Sequence, residues 1–271
     1  MHAFDIIIPQ YTGIAEDDDS HDHDVFCYLG NLEGNGQILP RNHHLAVSQN
    51  DITRVTVVCP EMDALDRKNM NSYAQEMHNK IEQLAGKPIQ TLYIGEDHDY
   101  PLPRYAVPTQ SEFYMLRWGW SSPLLDGVTL QGIPLYKIPY TQPDHPCYDN
   151  VWSWYRQAEA LYRLWLGSQP VSEAFALEQM QNPNSEHSKI GRELCRIIEQ
   201  STGVPTYYFL MNYRDWTQAE DMEQKCPLTG QDWLLPANTY HYIDFKCDES
   251  RLVSELSQNW SDESELMNLF N

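Results

Sequence analysis

The sequence predicts an α+β fold: an N-terminal α/β portion, a central helix pair and a C-terminal ribbon-like β-hairpin unit without metal. Three observations carry this. β-branched strand patterns in the first hundred residues bracket a helical stripe, two amphipathic helices follow in the centre, and cysteines recur at hairpin spacing near the end. A soft boundary in the Pro- and His-bearing stretch 140–148 divides the chain into 1–145, the α/β domain, and 146–271, the helix pair with the ribbon-like segment.

Taken in order, Phe4-Asp5-Ile6-Ile7-Ile8-Pro9 reads as the first strand. The run Glu16-Asp17-Asp18-Asp19-Ser20-His21-Asp22-His23-Asp24 reads as an exposed, mobile acidic loop, because like charges this close repel. Asp51 to Cys59 alternates with β-branched residues and reads as a strand. Met70, Tyr73, Met77, Ile81 and Leu84 lie three and four apart, on one helical face, and Gly86 with Pro88 ends that helix. Ile89 to Ile94 is another strand, 97–108 a loop, and 113–140 a set of short strands broken by Gly and Pro.

Asp149 is placed to cap the first central helix, whose stripe is Val151, Tyr155, Ala158, Tyr162 and Trp165. The second starts near Ser185, buries Ile190, Leu194, Ile197 and Ile198, and stops at Thr202-Gly203 before Pro205. Thr206 to Tyr213 reads as a strand, 225–258 as the ribbon-like segment, and the tail from Ser261 as acidic and weakly helical.

A structural zinc site takes four thiolate or imidazole ligands, usually as two CxxC knuckles. Here Cys226-Pro-Leu-Thr229 and Cys247-Asp-Glu-Ser250 each keep only the first cysteine. The expectation is a vestigial pair of knuckles at Cys226 and Cys247 with no metal, held instead by aromatic packing around Trp233, Tyr242, Phe245 and Trp260. His241 lies in the spacer but off the knuckle spacing. His21 and His23, interleaved with Asp22 and Asp24, offer a second ligand set, which flexible loop geometry would leave unorganised. The six cysteines are scattered, which fits reduced thiols in a cytoplasmic protein. No run approaches a membrane span, and no phosphate-binding loop, GxSxG, HExxH or deaminase pattern is present.

Four stretches carry a resemblance: Arg54-Val-Thr-Val-Val-Cys-Pro-Glu61, Pro134-Leu-Tyr-Lys-Ile-Pro139, Thr202-Gly-Val-Pro-Thr-Tyr-Tyr208, and Asp244-Phe-Lys-Cys-Asp248 running into Arg251-Leu-Val-Ser254. In these the chain resembles a family of bacterial zinc-ribbon-containing proteins of unknown function with a suggested nucleic-acid-binding role. The family carries complete CxxC knuckles where this chain has Cys226/Thr229 and Cys247/Ser250, and an earlier CxxC aligned with Asp126 and Thr129. The resemblance therefore implies a ribbon scaffold and transfers no ligand set.

Eighteen Lys and Arg against 39 Asp and Glu give a net charge of −21. Such a field repels a phosphate backbone and steers basic proteins inward. With ligand loss and no catalytic motif, it points to a non-enzymatic protein-binding protein. The specific expectation is an immunity (antitoxin) protein that neutralises a basic nuclease toxin, needing no cofactor. Its contact residues would be the acidic loop (Glu16, Asp17, Asp18, Asp19, Asp22, Asp24) and the tail (Asp262, Glu263, Glu265). The alternative is a zinc-ribbon-derived nucleic-acid- or ribosome-associated factor, for which Lys189, Arg192 and Arg196 are the nearest basic cluster.

Overall fold

The computed structural model describes residues 1–12, 19–40, 45–49, 51–97, 108–119, 122–142, 144, 146–167, 169–214 and 216–257. It has an α+β fold, as the sequence predicts, divided into two compact units. The first comprises Met1–Ser111, Gly119–Asp126 and Leu130–Ser153; the second comprises Glu112–Trp118, Gly127–Thr129 and Trp154–Asn271.

In the first unit, β1 (His2–Pro9) pairs antiparallel with β3 (Ile52–Cys59) and with β4 (Gln90–Glu96). β2 (Leu45–Gln49) pairs with β3, giving the order β2-β3-β1-β4. Alternation along β1 turns Phe4, Ile6 and Ile8 to the core, where they join Val55 and Val57. Two helices, α1 (Ser20–Gly34) and α2 (Ser72–Ala85), cover that face with Tyr28, Leu32, Ala74 and Ile81. Asn71 caps α2 by accepting from the Ala74 N–H, and Gly86, at φ 65°, closes it in the left-handed conformation that glycine adopts without strain. On the opposite sheet face, buried Asp5 accepts from Arg54 and from Thr56 (2.7 Å), and these bonds hold its carboxyl below the usual range despite burial. β6 (Leu124–Asp126) bridges back to Gly132.

In the second unit, β5 (Tyr114–Leu116), β7 (Thr206–Phe209), β9 (Leu252–Ser254) and β8 (Phe245–Cys247) lie side by side in that order. β7 pairs parallel with β5 and with β9, and β9 pairs antiparallel with β8. Helix α3 (Asp149–Leu166), which belongs to this unit from Trp154 onward, is followed by α4 (Pro170–Gln181), α5 (Glu186–Thr202) and the short α6 (Gln218–Met222). α5 starts on Ser185, whose hydroxyl accepts from the Ser188 N–H, and ends on Gly203 at φ 73°. Its buried Gly191 lets the Tyr208 ring and the Trp154 indole close against the helix backbone.

Several sequence expectations need correction. Ser20 to Asp24 is the first turn of α1 and not a loop, because Val25, Tyr28 and Leu32 give that segment a core-facing stripe. The central helix pair is separated by a third helix, α4, whose apolar Val171 and Phe175 point to solvent (83% and 56% exposed). Leu84 and Ile190 are exposed, since the buried stripes run through Ala74, His78, Ile81 and Ala85 in α2 and through His187, Gly191, Leu194 and Ile198 in α5. β7 stops at Phe209, short of Tyr213.

Candidate functional site

The densest arrangement of chemically distinctive side chains lies at the turns of the C-terminal hairpins. The first turn is closed by Cys226 N–H donating to the Gln231 carbonyl (2.9 Å) and Gly230 N–H to the Cys226 carbonyl (2.8 Å). The second joins β8 to β9 and requires Arg251 at φ 53°. Together they bring the four knuckle positions into one cluster, paired crosswise. Cys226 Sγ lies 3.2 Å from Ser250 Oγ, and Cys247 Sγ lies 3.6 Å from Thr229 Oγ1. Both thiols are buried. Burial is the largest influence on Cys247 and raises its pKa. Hydrogen bonds from Ser250, Thr229 and Cys226 outweigh it, so the thiol lies below its ordinary value. Behind the cluster, Trp233 stacks on Phe245 (5.0 Å, 30°) and the Trp233 carbonyl accepts from Lys246 N–H (2.8 Å). Tyr242 is half-buried, and Trp260 lies outside the described residues.

Two thiols and two hydroxyls do not fit a structural zinc ion, because hydroxyls cannot replace the charge of the missing thiolates. Among the described residues no group of three or more His, Cys, Asp or Glu side chains gathers as a metal set. His21 turns inward and donates Nε2–H to the Pro9 carbonyl (3.2 Å), while His23 lies 3.5 Å from Cys27 Sγ. Cys27 is half-buried and the other five thiols are buried. One thiol should therefore react rapidly with a disulfide reagent in the native protein, and six after denaturation. Two or more fast native thiols would contradict the packing around Cys226 and Cys247.

Beside the cluster, a depression is framed by α5 and the β8–β9 turn. Arg251 donates twice to Glu199 (2.9 and 2.8 Å), which holds Glu199 below its usual pKa. Tyr207 donates to Asp248 (2.7 Å), and Lys246 pairs with Asp248 over the Tyr207 ring (4.6 Å). The basic trio of α5 is similarly engaged. Lys189 pairs with Glu186 (2.8 Å), Arg196 donates twice to Glu193, and Arg192 donates to the Pro183 carbonyl (3.0 Å). Each cation here faces an acceptor of its own chain.

A second cavity, of about 270 Å³, is lined by Trp216, Trp233, Phe245, Arg214, Asn212 and Asp221 among others. Among the described residues no His or Cys lines it. The buried Asp221 carboxylate already accepts from Asn212 Nδ2 (2.9 Å) and the Ser257 N–H (2.5 Å).

The structure separates the expected contact residues. Asp19 is exposed just before α1, and Asp22 is 82% exposed on its first turn. Asp24 is buried, accepting from Tyr11 (2.7 Å) and Lys80 (2.7 Å), and so is not available to a partner. Its inward position follows from the stripe it shares with Tyr28 and Leu32, a signal the charge run conceals. Glu16, Asp17, Asp18, Asp262, Glu263 and Glu265 lie outside the described residues.

An uncharacterized protein of Haemophilus influenzae is 30% identical over 230 residues, covering 83% of this chain and 87% of that protein. The chain belongs to that protein's family. A second uncharacterized Haemophilus influenzae relative is 35% identical over 139 residues, covering 51% of this chain and 67% of its own length. Three domains of unknown function match in series: DUF8589 over residues 10–95, DUF2310 over 106–211 and DUF8594 over 216–260. The cysteine–hydroxyl cluster falls wholly in the last of these. No solved structure matches the chain. Among the described residues, no helix is long and apolar enough to cross a membrane.

Proposed function

We propose that this chain is a non-enzymatic binding protein whose acidic surface docks a basic protein partner. Its specific form is an immunity protein that neutralises a basic nuclease toxin in the cytoplasm. The observation carrying this reading is the neutralised basic patch: in a chain of net charge −21, Lys189, Arg196 and Arg251 are each held by a carboxylate of their own chain. A phosphate backbone gains affinity by releasing counterions to free cations. These three are already engaged, and Arg192, held by the Pro183 carbonyl, is the one charge of the α5 trio without a carboxylate partner among the described residues. A basic protein instead meets an uncompensated acidic field, which accelerates encounter.

The same reading takes 225–258 as a zinc-ribbon derivative in which the second ligand of each knuckle became a hydroxyl. The crosswise pairing of Cys226 with Ser250 and of Cys247 with Thr229 supports it, because each thiol meets the substituted position of the opposite knuckle.

Affinity capture with the tagged full chain, with and without nuclease, tests the proposal. A stoichiometric basic protein that survives nuclease treatment is expected. Reversing Asp19 and Asp22 to Lys, together with Asp262, Glu263 and Glu265, should slow its association by about tenfold or more at low salt and less at high salt. Capture of RNA or DNA that disappears with nuclease would instead establish the nucleic-acid reading.

A further inference from the structure

Strand β4 is exposed along almost its whole length: Gln90 to Ile94 and Glu96 all face solvent. Among the described residues it is an outer strand, paired only with β1. Three consecutive apolar side chains are exposed, Leu92 at 52%, Tyr93 at 43% and Ile94 at 51%. Alternation puts Leu92 on the sheet face of Asp5, while Tyr93 packs edge-on against Phe4 (5.4 Å) on the other. The unpaired backbone edge thus has apolar side chains on both faces. Isolated edges of this kind are usually blunted by Lys, Pro or a bulge. Gln90 to Tyr93 has none of these, and the register shift opposite Ala3 and Phe4 lies at the far end.

We propose that the outer edge of β4 pairs antiparallel with the same edge of a second copy of this chain, joining two four-stranded sheets across a two-fold axis. The charges on the strand select this occupant. A register centred on Leu92 sets Leu92 against itself, Thr91 against Tyr93 and Gln90 against Ile94. Five uncharged positions then face one another, including an aromatic–β-branched pair. Antiparallel pairing brings the Lys87 end of one strand alongside the Glu96–Asp97 end of the other, twice by symmetry. A cationic strand from a basic partner would find no charge along Gln90 to Ile94 and would match Glu96–Asp97 at one end but meet Lys87 at the other, whereas a second copy matches both ends. The self-pairing is independent of the function proposed above.

Light scattering coupled to gel filtration on the full chain, over a dilution series reaching about 100 μM, tests this, since a Kd of about 1 μM leaves mostly dimer there. Twice the monomer mass is expected. Leu92→Lys puts two like charges on the axis and should weaken the dimer by at least about 100-fold. Because Leu92 is half-exposed, the melting temperature of that variant should stay within a few degrees of the parent. Lys87→Glu should weaken the dimer, and adding Glu96→Lys should restore it. A monomer at every concentration overturns the proposal, as does a dimer that Leu92→Lys leaves intact.

Discussion

Gly191→Ala should destabilise the protein by about 2 kcal/mol or more, although alanine in a helix normally stabilises by about 1 kcal/mol. The sign is decided by space. A Cβ on Gly191 would overlap the Tyr208 ring and the Trp154 indole nitrogen. Both neighbours are buried, Tyr208 on β7 and Trp154 on α3, so neither can swing into solvent. The helix would have to lift off the strand it covers. Gly30 in α1 is the matched control, since nothing lies within 4 Å of a Cβ there. Gly30→Ala should raise stability by about 0.5–1 kcal/mol. Urea unfolding of the two variants reads both effects on one scale. If they shift the midpoint in the same direction, the close packing of α5 on β7 is wrong.

Acidification from pH 6.5 to 4 should cost about 3 kcal/mol of stability through His187 alone, at about 1.4 kcal/mol per pH unit. His187 is 5% exposed and stacked on Trp154 (5.3 Å, 10°). Among the described residues neither ring nitrogen has a hydrogen-bond partner. Burial therefore pushes its pKa from 6.5 down to about 4. Above 6.5 the ring is neutral in both folded and unfolded chains, and its contribution to folding is fully present. As pH falls below 6.5 the unfolded chain takes up a proton that the folded one refuses, so stability declines until the folded ring also protonates near 4. His78 adds in the same direction, its pKa lowered chiefly by burial. It donates to Glu82 (3.3 Å), leaving Nδ1 to accept from Tyr28 (3.2 Å). His187→Phe keeps a ring against Trp154 and removes the titration. Unfolding free energies measured across that window should be markedly flatter for this variant. Parallel curves for variant and parent would show that His187 is not the group refusing the proton.

The parts of this fold legible in the sequence are those where local and tertiary signals agree. β1 is an apolar, β-branched run, β3 alternates as half-buried strands do, and α2 and α5 have both a cap residue and a glycine stop. α1 was hidden because its first turn is a charge run, and the loop reading of that run ignored Val25, Tyr28 and Leu32 downstream. α4 offers no periodic stripe at all: only Ala176 and Met180 are buried, so nothing in its pattern separates it from an exposed connection. At the candidate site, the spacing of Cys226, Thr229, Cys247 and Ser250 was enough to anticipate that the four would meet. Their crosswise partnering was not legible, because it depends on how the two turns face each other. Charge counting misled at Asp24 for a related reason, since a carboxylate's partners, Tyr11 and Lys80, are set by tertiary packing and not by neighbours in sequence.

The strand order β5-β7-β9-β8 has a consequence for synthesis. Near the beginning of the second unit the chain makes β5, whose parallel neighbour β7 follows some ninety residues later. β7 then waits for β9, at residues 252–254, to cover its other side. At about 5–20 residues per second, roughly ten seconds or more separates the emergence of β5 from that of β9. From the synthesis of β7 until that of β9, some forty residues and about 2–9 seconds later, Tyr208 and Phe209 lack one wall of their eventual enclosure. The second unit must therefore be completed after translation of its last strand, so a nascent chain paused before residue 252 would be the species most in need of a chaperone.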